Sequence, residues 1–207
     1  GLVSHRRLSN GDDKPYELNI SWWSAMEDSS RDSNRFQFER FVLTQLLVMA
    51  LKGVPAFYLP AILASENDIK SFSMTGQRRD LNREKFKSEN LSAVLNNPES
   101  NANKNLKYLR NAMDVRSELK QFHPCSQMKC LSKGRSDIVV IKRSKGPESV
   151  FAIHNMTENK INYQLNDNDL PKIIDNDFNT HDFLTSTKYN CKNISLDPFQ
   201  VIWLSAL

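Results

Sequence analysis

"FVLTQLLVMALKGVPAFYLPAIL", residues Phe41 to Leu63, is one of the most apolar parts of the chain, and its interruptions decide how it is read. A membrane-spanning helix needs about 20 uninterrupted apolar residues. Lys52, Gly53, Pro55 and Pro60 break the run before that length is reached. The pattern instead predicts a helix from about Asn34 to Leu51, capped by Asp32 or Ser33 and stopped at Lys52–Gly53. Leu43, Leu46, Leu47, Ala50 and Leu51 recur at helical spacing, as a face pressed on a core does. "VPAFYL", Val54–Leu59, then reads as a short strand that is apolar on both faces, the mark of a parallel sheet covered by helices. Helix, tight turn and buried strand make one αβ unit, and the fold class is α/β.

Directly behind this run lies "TGQRRDLNREK", Thr75–Lys85, with Arg78, Arg79, Arg83 and Lys85 among two carboxylates, Asp80 and Glu84. Such a loop is either a solvated charge run, its arginines pairing with Asp80 or Glu84, or a ligand loop at the mouth of a rigid core. The residues alone leave both open. Further along, "NKNLKYLRNAMDVRSELKQF", Asn103–Phe122, carries Leu106, Leu109, Met113 and Leu119 along one side of a second amphipathic helix. After His123–Pro124 the pattern changes. "DIVVIKR", "SVFAIHN", "INYQL", "HDFLTS" and "FQVIWL" are five short runs rich in β-branched and aromatic residues, with turn residues between them. The expected domains are therefore residues 1–122 and an all-β domain, residues 123–207. The Asn-rich runs at residues 96–105 and 164–179 read as surface loops.

With 28 Lys and Arg against 24 Asp and Glu, the net charge of +4 is mild and scattered, which argues against a nucleic-acid partner. Cys125, Cys130 and Cys191 form no CxxC pair, so neither a disulfide framework nor a zinc site is expected, and reduced thiols in a cytoplasmic protein are. No secretory signal opens the chain, so the sequons at Asn19, Asn155 and Asn193 carry no expected role. His5 falls in an expected loop, and His123 and His154 have no partner at metal spacing. Trp22 and Trp23 are residues that stack on sugars, although tandem aromatics are more often core. Asp182 and Trp203 are expected to stabilise the β domain.

"PYELNISWWSAM" (15–26), "GVPAFYLPAILASENDI" (53–69), "TGQRRDLNREKF" (75–86), "FHP" (122–124) and "DPFQVIWL" (197–204) occur in this order. Together they resemble the C-terminal part of the sucrose phosphorylase group within the α-amylase superfamily, glycoside hydrolase family 13. The form "GQRRDLNR", and Pro60 where sucrose-type relatives usually carry His, look closest to the glucosylglycerate phosphorylase branch. The resemblance implies the last portion of a (β/α)8 barrel followed by a small all-β domain, since one confident strand is far short of eight. It implies a cytoplasmic enzyme that transfers glucose from an α-glucoside to inorganic phosphate with retention. No cofactor, metal or membrane is implied, and a homodimer of the full-length enzyme is allowed. The catalytic carboxylates of the family would precede Gly1, so no catalytic residue is assigned here and the chain alone is expected to be inactive. By the same resemblance Arg83 holds the glucosyl unit, and Asn67 and Asp68 line the acceptor side. Gln77, Arg78 and Arg79, between these positions, would have a use for an anionic acceptor or phosphate. A glucosidase or transglucosylase of the superfamily, or a non-catalytic sugar-binding fragment, stands as the alternative.

Overall fold

The computed structural model of the protein describes residues 1–27, 35–132, 134–166, 170 and 179–206. They divide into two compact units, residues 1–41 with 57–107 and residues 42–56 with 108–207. Every described helix and strand beyond residue 123 is a strand, whereas the compact units divide the chain inside two helices.

The first unit opens with a hairpin, β1 (Leu2–Arg7) and β2 (Asp13–Asn19), paired antiparallel with a register shift between Ser4 and His5. Gly11, at φ +91, makes the reversal that a side chain would strain. His5, expected in a loop, is an exposed residue of β1. Helix α1 (Gln37–Ala50) follows, then α2 (Leu59–Ile62), α3 (Ile69–Thr75), a 3-10 turn (Arg78–Asn82), α4 (Ser88–Asn96) and α5 (Asn101–Glu118). The apolar run therefore does fold as a helix, a break and a short second helix. The expected caps Asp32 and Ser33 lie outside the described residues. Within the expected apolar face of α1, Leu43, Leu46 and Ala50 are buried, and Leu47 is partly so.

Two expectations require correction. Val54–Tyr58 is not a buried strand: no described strand pairs with it, and Val54 is 81% exposed. A strand exists through ladder partners, none is present beside these residues, and Pro55 has no N–H to offer one. In α5 the buried face is Ala102, Asn105, Leu109 and Ala112, while Met113 is exposed and Leu119 lies beyond the helix. The spacing of three and four is helical; Leu109 is buried as expected and Leu106 partly so, but the rest of the face is made of two alanines and one amide rather than Met113 and Leu119. Asn105 donates through Nδ2 to the carbonyls of Ile62 at 2.8 Å and Ala61 at 3.3 Å, closing the end of α2. The run 96–105 is thus partly helix and core rather than loop. Most of the run 164–179 lies outside the described residues.

In the second unit β3 (Gln127–Cys130), β4 (Ile138–Lys145), β5 (Glu148–Asn155) and β10 (Val201–Ala206) form one antiparallel sheet in the order β10-β5-β4-β3. β6 (Ile161–Tyr163) pairs with β9 (Ile194–Leu196), and β7 (Asn179–His181) with β8 (Lys188–Asn190). Of the five expected runs, four contain strands as read, but "HDFLTS" is mostly turn. Asp182 only bridges to Leu204, and Ser186 takes φ +61.

Alternation sorts the sheet's faces. Ile138, Val140, Phe151, Ile153, Ile202 and Leu204 enter one core with Leu165, Ile194 and Leu196. Ile141, Arg143, Val150, Ala152, His154 and Trp203 fall on the opposite face by register and are also buried. Trp203 packs on Phe122, centroids 4.6 Å apart, and its backbone N–H donates to buried Asp182 at 2.7 Å. Asp182 also accepts from Thr185 Oγ1, and burial nonetheless raises its pKa. Asn19, in the first unit, and Asn155 are buried and hydrogen-bonded, Asn19 to Ser4 Oγ and Asn155 to the carbonyls of Asn159 and Asp197.

Arg143 has no solvent access, yet its guanidinium donates only to carbonyls: Leu51 at 2.7 Å, His123 at 2.9 Å, Ala50 at 3.0 Å and Gln127 at 3.3 Å. Two of these close the C-terminus of α1, where orphan carbonyls and the helix dipole favour a cation. Arg116 donates to Met49 and Gly53 carbonyls at the same end, and the Phe122 ring lies within 6 Å of both guanidinium groups. Replacing Arg143 by Met strands these buried carbonyls and should destabilise the unit by about 3–5 kcal/mol in urea unfolding. Arg143→Lys should recover little, because an ammonium cannot reproduce the planar fork. A loss below about 1 kcal/mol in both variants would remove the clamp from the fold's foundations.

His154 is buried, with Nδ1 3.3 Å from the Val139 carbonyl, so that nitrogen carries the proton. Burial lowers its pKa from 6.5 to about 4. Between those values the unfolded chain binds the extra proton, so stability falls as pH falls from 6.5 towards 4 and is flat with respect to this group above 6.5. The contribution is on the order of 3 kcal/mol. Asp182, with its raised pKa, acts in the opposite sense. The difference between wild type and His154→Leu in urea titrations across pH 4–7 isolates the histidine, and the wild type should show the steeper acid loss.

Candidate functional site

The segment from Asn67 to Arg83 is held inside the first unit by short polar contacts. Asn67 Oδ1 accepts the Ser21 backbone N–H at 2.8 Å, and its own N–H donates to Ser24 Oγ at 3.1 Å. Ser24 N–H in turn donates to Ser21 Oγ at 3.0 Å, so one amide and two hydroxyls lock the loop to the segment after β2. That segment is fixed by its aromatics. Trp23 is buried against Phe38 and Phe41, and Trp22 stacks on Phe57 at 6.4 Å and 15°. Both tryptophans therefore belong to a packed cluster.

Asp68 is the N-cap of α3. Its carboxylate accepts the Ser71 N–H at 2.8 Å, hydrogen bonding by the Ser71 side chain and then its backbone lowers its pKa, and its own backbone N–H donates to the Leu81 carbonyl at 2.7 Å. Gly76, at φ +69, closes the helix. Gln77 is exposed and precedes the 3-10 turn. The arginines of that turn reach the hairpin rather than Asp80 or Glu84. Arg78 donates to the Val3 carbonyl at 2.7 Å, and Arg79 Nε lies 3.2 Å from both Glu17 oxygens, a pairing that raises its pKa. Asp80 instead accepts from Thr75 Oγ1 at 2.7 Å. Arg83 is exposed, and no described residue accepts a hydrogen bond from its side chain or pairs with it.

Of the six residues singled out in the sequence, Asn67, Asp68, Arg78 and Arg79 hold the loop together, while the exposed side chains of Gln77 and Arg83 have no such contact among the described residues. Beside Arg83 lies a cavity of about 480 Å³ that sequence reasoning missed. It is lined by residues 84–87, by Asn90, Leu91 and Val94 of α4, and by Leu63 and Ser65. None of the six lines it. Its only advance signal is the cation at every second position through Arg83, Lys85 and Lys87. Among the described residues no group of three His, Cys, Asp or Glu side chains could hold a metal ion, and no helix is long and apolar enough to cross a membrane.

No protein-family model matches the chain. The glucosylglycerate phosphorylase of Allomeiothermus silvanus is 29% identical over 159 residues, 76% of this chain and 28% of the relative. The glucosylglycerate phosphorylase of Escherichia coli is 24% identical over 204 residues, 98% of this chain and 34% of the relative. A sucrose phosphorylase of Streptococcus mutans is 24% identical over 155 residues, 74% and 29% of the two chains. The chain resembles the sucrose phosphorylase group. It spans about a third, or less, of the length of these relatives. The chain superposes on parts of α-amylase-type TIM-barrel enzymes. AmyP in complex with maltotriose superposes at a TM-score of 0.67 with 13% identity, over 89% of this chain and 37% of that one. A Bacillus licheniformis trehalose-6-phosphate hydrolase does so at 0.58 with 15% identity, over 85% and 40%.

The two roles open to Asp68 make a test. Asn is as good an N-cap as Asp, so Asp68→Asn should keep stability, while Asp68→Ala should lose about 1 kcal/mol. If Asp68 serves only as a cap, activity of the intact protein follows the same pattern. A carboxylate that also accepts from a ligand hydroxyl shows itself as lost kcat/KM in Asp68→Asn at unchanged stability.

Proposed function

We propose that this chain is the C-terminal portion of a retaining α-glucoside phosphorylase of the glucosylglycerate type. The observation that carries the reading is the similarity to glucosylglycerate phosphorylases along nearly the whole chain, 98% of it in one case. Residues 1–122 then supply the end of a (β/α)8 barrel with its substrate loop, and residues 123–207 an all-β C-terminal domain.

Retention requires a nucleophilic carboxylate and a general acid/base about 5–5.5 Å apart. In the proposed enzyme both stand outside this chain, with phosphate as the acceptor that releases α-glucose 1-phosphate. Arg83 gives the glucosyl unit a rigid fork of donors that cannot lose its charge, and its uncommitted guanidinium supports that role. The braced loop behind it limits the freedom lost when the sugar binds.

The test uses the intact protein. Phosphorolysis should yield α-glucose 1-phosphate, with kcat/KM for glucosylglycerate clearly above that for sucrose. Arg83→Lys and Arg83→Ala should each lower kcat/KM by about 30- to 1,000-fold, since hydrogen bonds on the reacting sugar tighten towards the transition state. Release of free glucose, independent of phosphate, would make the enzyme a hydrolase. Near wild-type kinetics in either variant would take Arg83 out of the site.

A further inference from the structure

We propose that the cavity beside Arg83 binds a small hydroxylated anion, with Lys85 and Lys87 holding the negative charge and Ser65 and Asn90 the neutral hydroxyls. Four observations meet there. The volume of about 480 Å³ lies within the usual range of ligand pockets, about 300–1,000 Å³. Through residues 83–87 burial alternates, with Glu84 and Phe86 half-buried and Arg83, Lys85 and Lys87 exposed, so the two lysines meet the cavity at its solvent side. Residues 84–87 all contribute to the wall, which leaves two cations against the single carboxylate of Glu84.

The third observation is Ser65. It lines the cavity and is over nine-tenths buried, and its hydroxyl has no hydrogen-bond partner among the described residues. A buried hydroxyl left unpaired costs about 1–3 kcal/mol, which a ligand hydroxyl or anion oxygen would restore. The fourth is the backbone that places it. Ala64 occupies the left-handed region at φ +49, where an alanine is strained, and this turn sets the Ser65 N–H on the Pro60 carbonyl at 2.9 Å. The apolar wall of Leu63, Phe86, Leu91 and Val94 suits the C–H face of a compact skeleton where the anion carries one.

Carboxylate and phosphate share this chemistry. Which anion enters rests on the phosphorylase reading, under which a carboxylate-bearing acceptor and inorganic phosphate are both at hand; the binding itself does not rest on it.

Inorganic phosphate and glycerate are titrated separately into the intact protein by calorimetry, with glycerol as the neutral control. At least one anion should bind and glycerol should not. Lys85→Gln/Lys87→Gln should weaken that binding by about tenfold or more, and Ser65→Leu should abolish it by filling the cavity. The lysines are exposed, so their variant should keep the wild-type melting temperature and carries the test if Ser65→Leu fails to fold. Binding of phosphate alone assigns the cavity to phosphate, and binding of glycerate alone assigns it to the acceptor; both support the site. Absence of binding by either anion, equal binding of glycerol, or unchanged affinity in the lysine variant overturns it. Turnover assays separate the two readings. Lysine-dependent anion binding without glucose 1-phosphate sinks only the phosphorylase assignment. Phosphorolysis with unaltered affinity and unaltered KM for both anions in the lysine variant sinks only this site.

Discussion

Arg143 carries a positive charge to a place with no solvent access, and every acceptor it finds among the described residues is a backbone carbonyl. A buried charge is tolerable only when its donors are satisfied. Here the end of α1 supplies the oxygens and the negative pole of its dipole. The requirement works in both directions. The α1 carbonyls need donors where the helix stops at Leu51–Gly53, and the guanidinium needs the helix to stop there. Since Arg143 stands on β4, this exchange fixes the end of α1 against the face of the sheet that carries His154 and Trp203. Phe122 and Arg116 complete the arrangement, and burial with Arg116's charge nearby lowers the Arg143 pKa. The unit is assembled around a cation, with an aromatic ring as its cover.

The first unit uses arginine differently. Arg78 and Arg79 are exposed, and they tie the 3-10 turn to the hairpin through one carbonyl and one carboxylate. Exposed ion pairs contribute little stability, so their value here is geometric. The strong holds on this loop are neutral: the Asn67 amide with Ser21 and Ser24, the Asp68 cap, and the Asp68 N–H on Leu81. Because these contacts consume the side chains of Asn67 and Asp68 locally, the loop is shaped before any ligand arrives.

Legibility in the sequence followed physical range. Helix α1, its stop at Lys52–Gly53 and four of the five β runs were readable, since period, breaker residues and β-branched composition act within a few residues. The reading of Val54–Leu59 as a buried strand failed, because apolar character on both faces states what a strand could bury and says nothing of whether partners exist. The α5 face was misread for a related reason: Ala102, Asn105 and Ala112 are buried by close approach and hydrogen bonding rather than by bulk. The hairpin β1–β2, polar and exposed on most positions, had no pattern to announce it. The arginine loop was located by composition, but its pairing with Glu17 and Val3 joins residues more than sixty positions apart, which no local pattern encodes.

Which groups remain for a ligand follows from which are already used. Arg79 has its carboxylate, Arg78 its carbonyl, Asp68 its helix and Asn67 its latch, and a ligand competing for any of them would first have to break a contact that shapes the loop. Arg83 and Lys87 have no such duty among the described residues, Lys85 adds only its charge near Asp68, and Lys85 and Lys87 line the cavity together with Glu84 and Phe86. Charge that a fold does not need for itself, set beside an unpaired buried hydroxyl, is the arrangement least explained by stability. In the proposed phosphorylase the work divides accordingly: the first arginines hold the loop, and the cations after them meet the substrates.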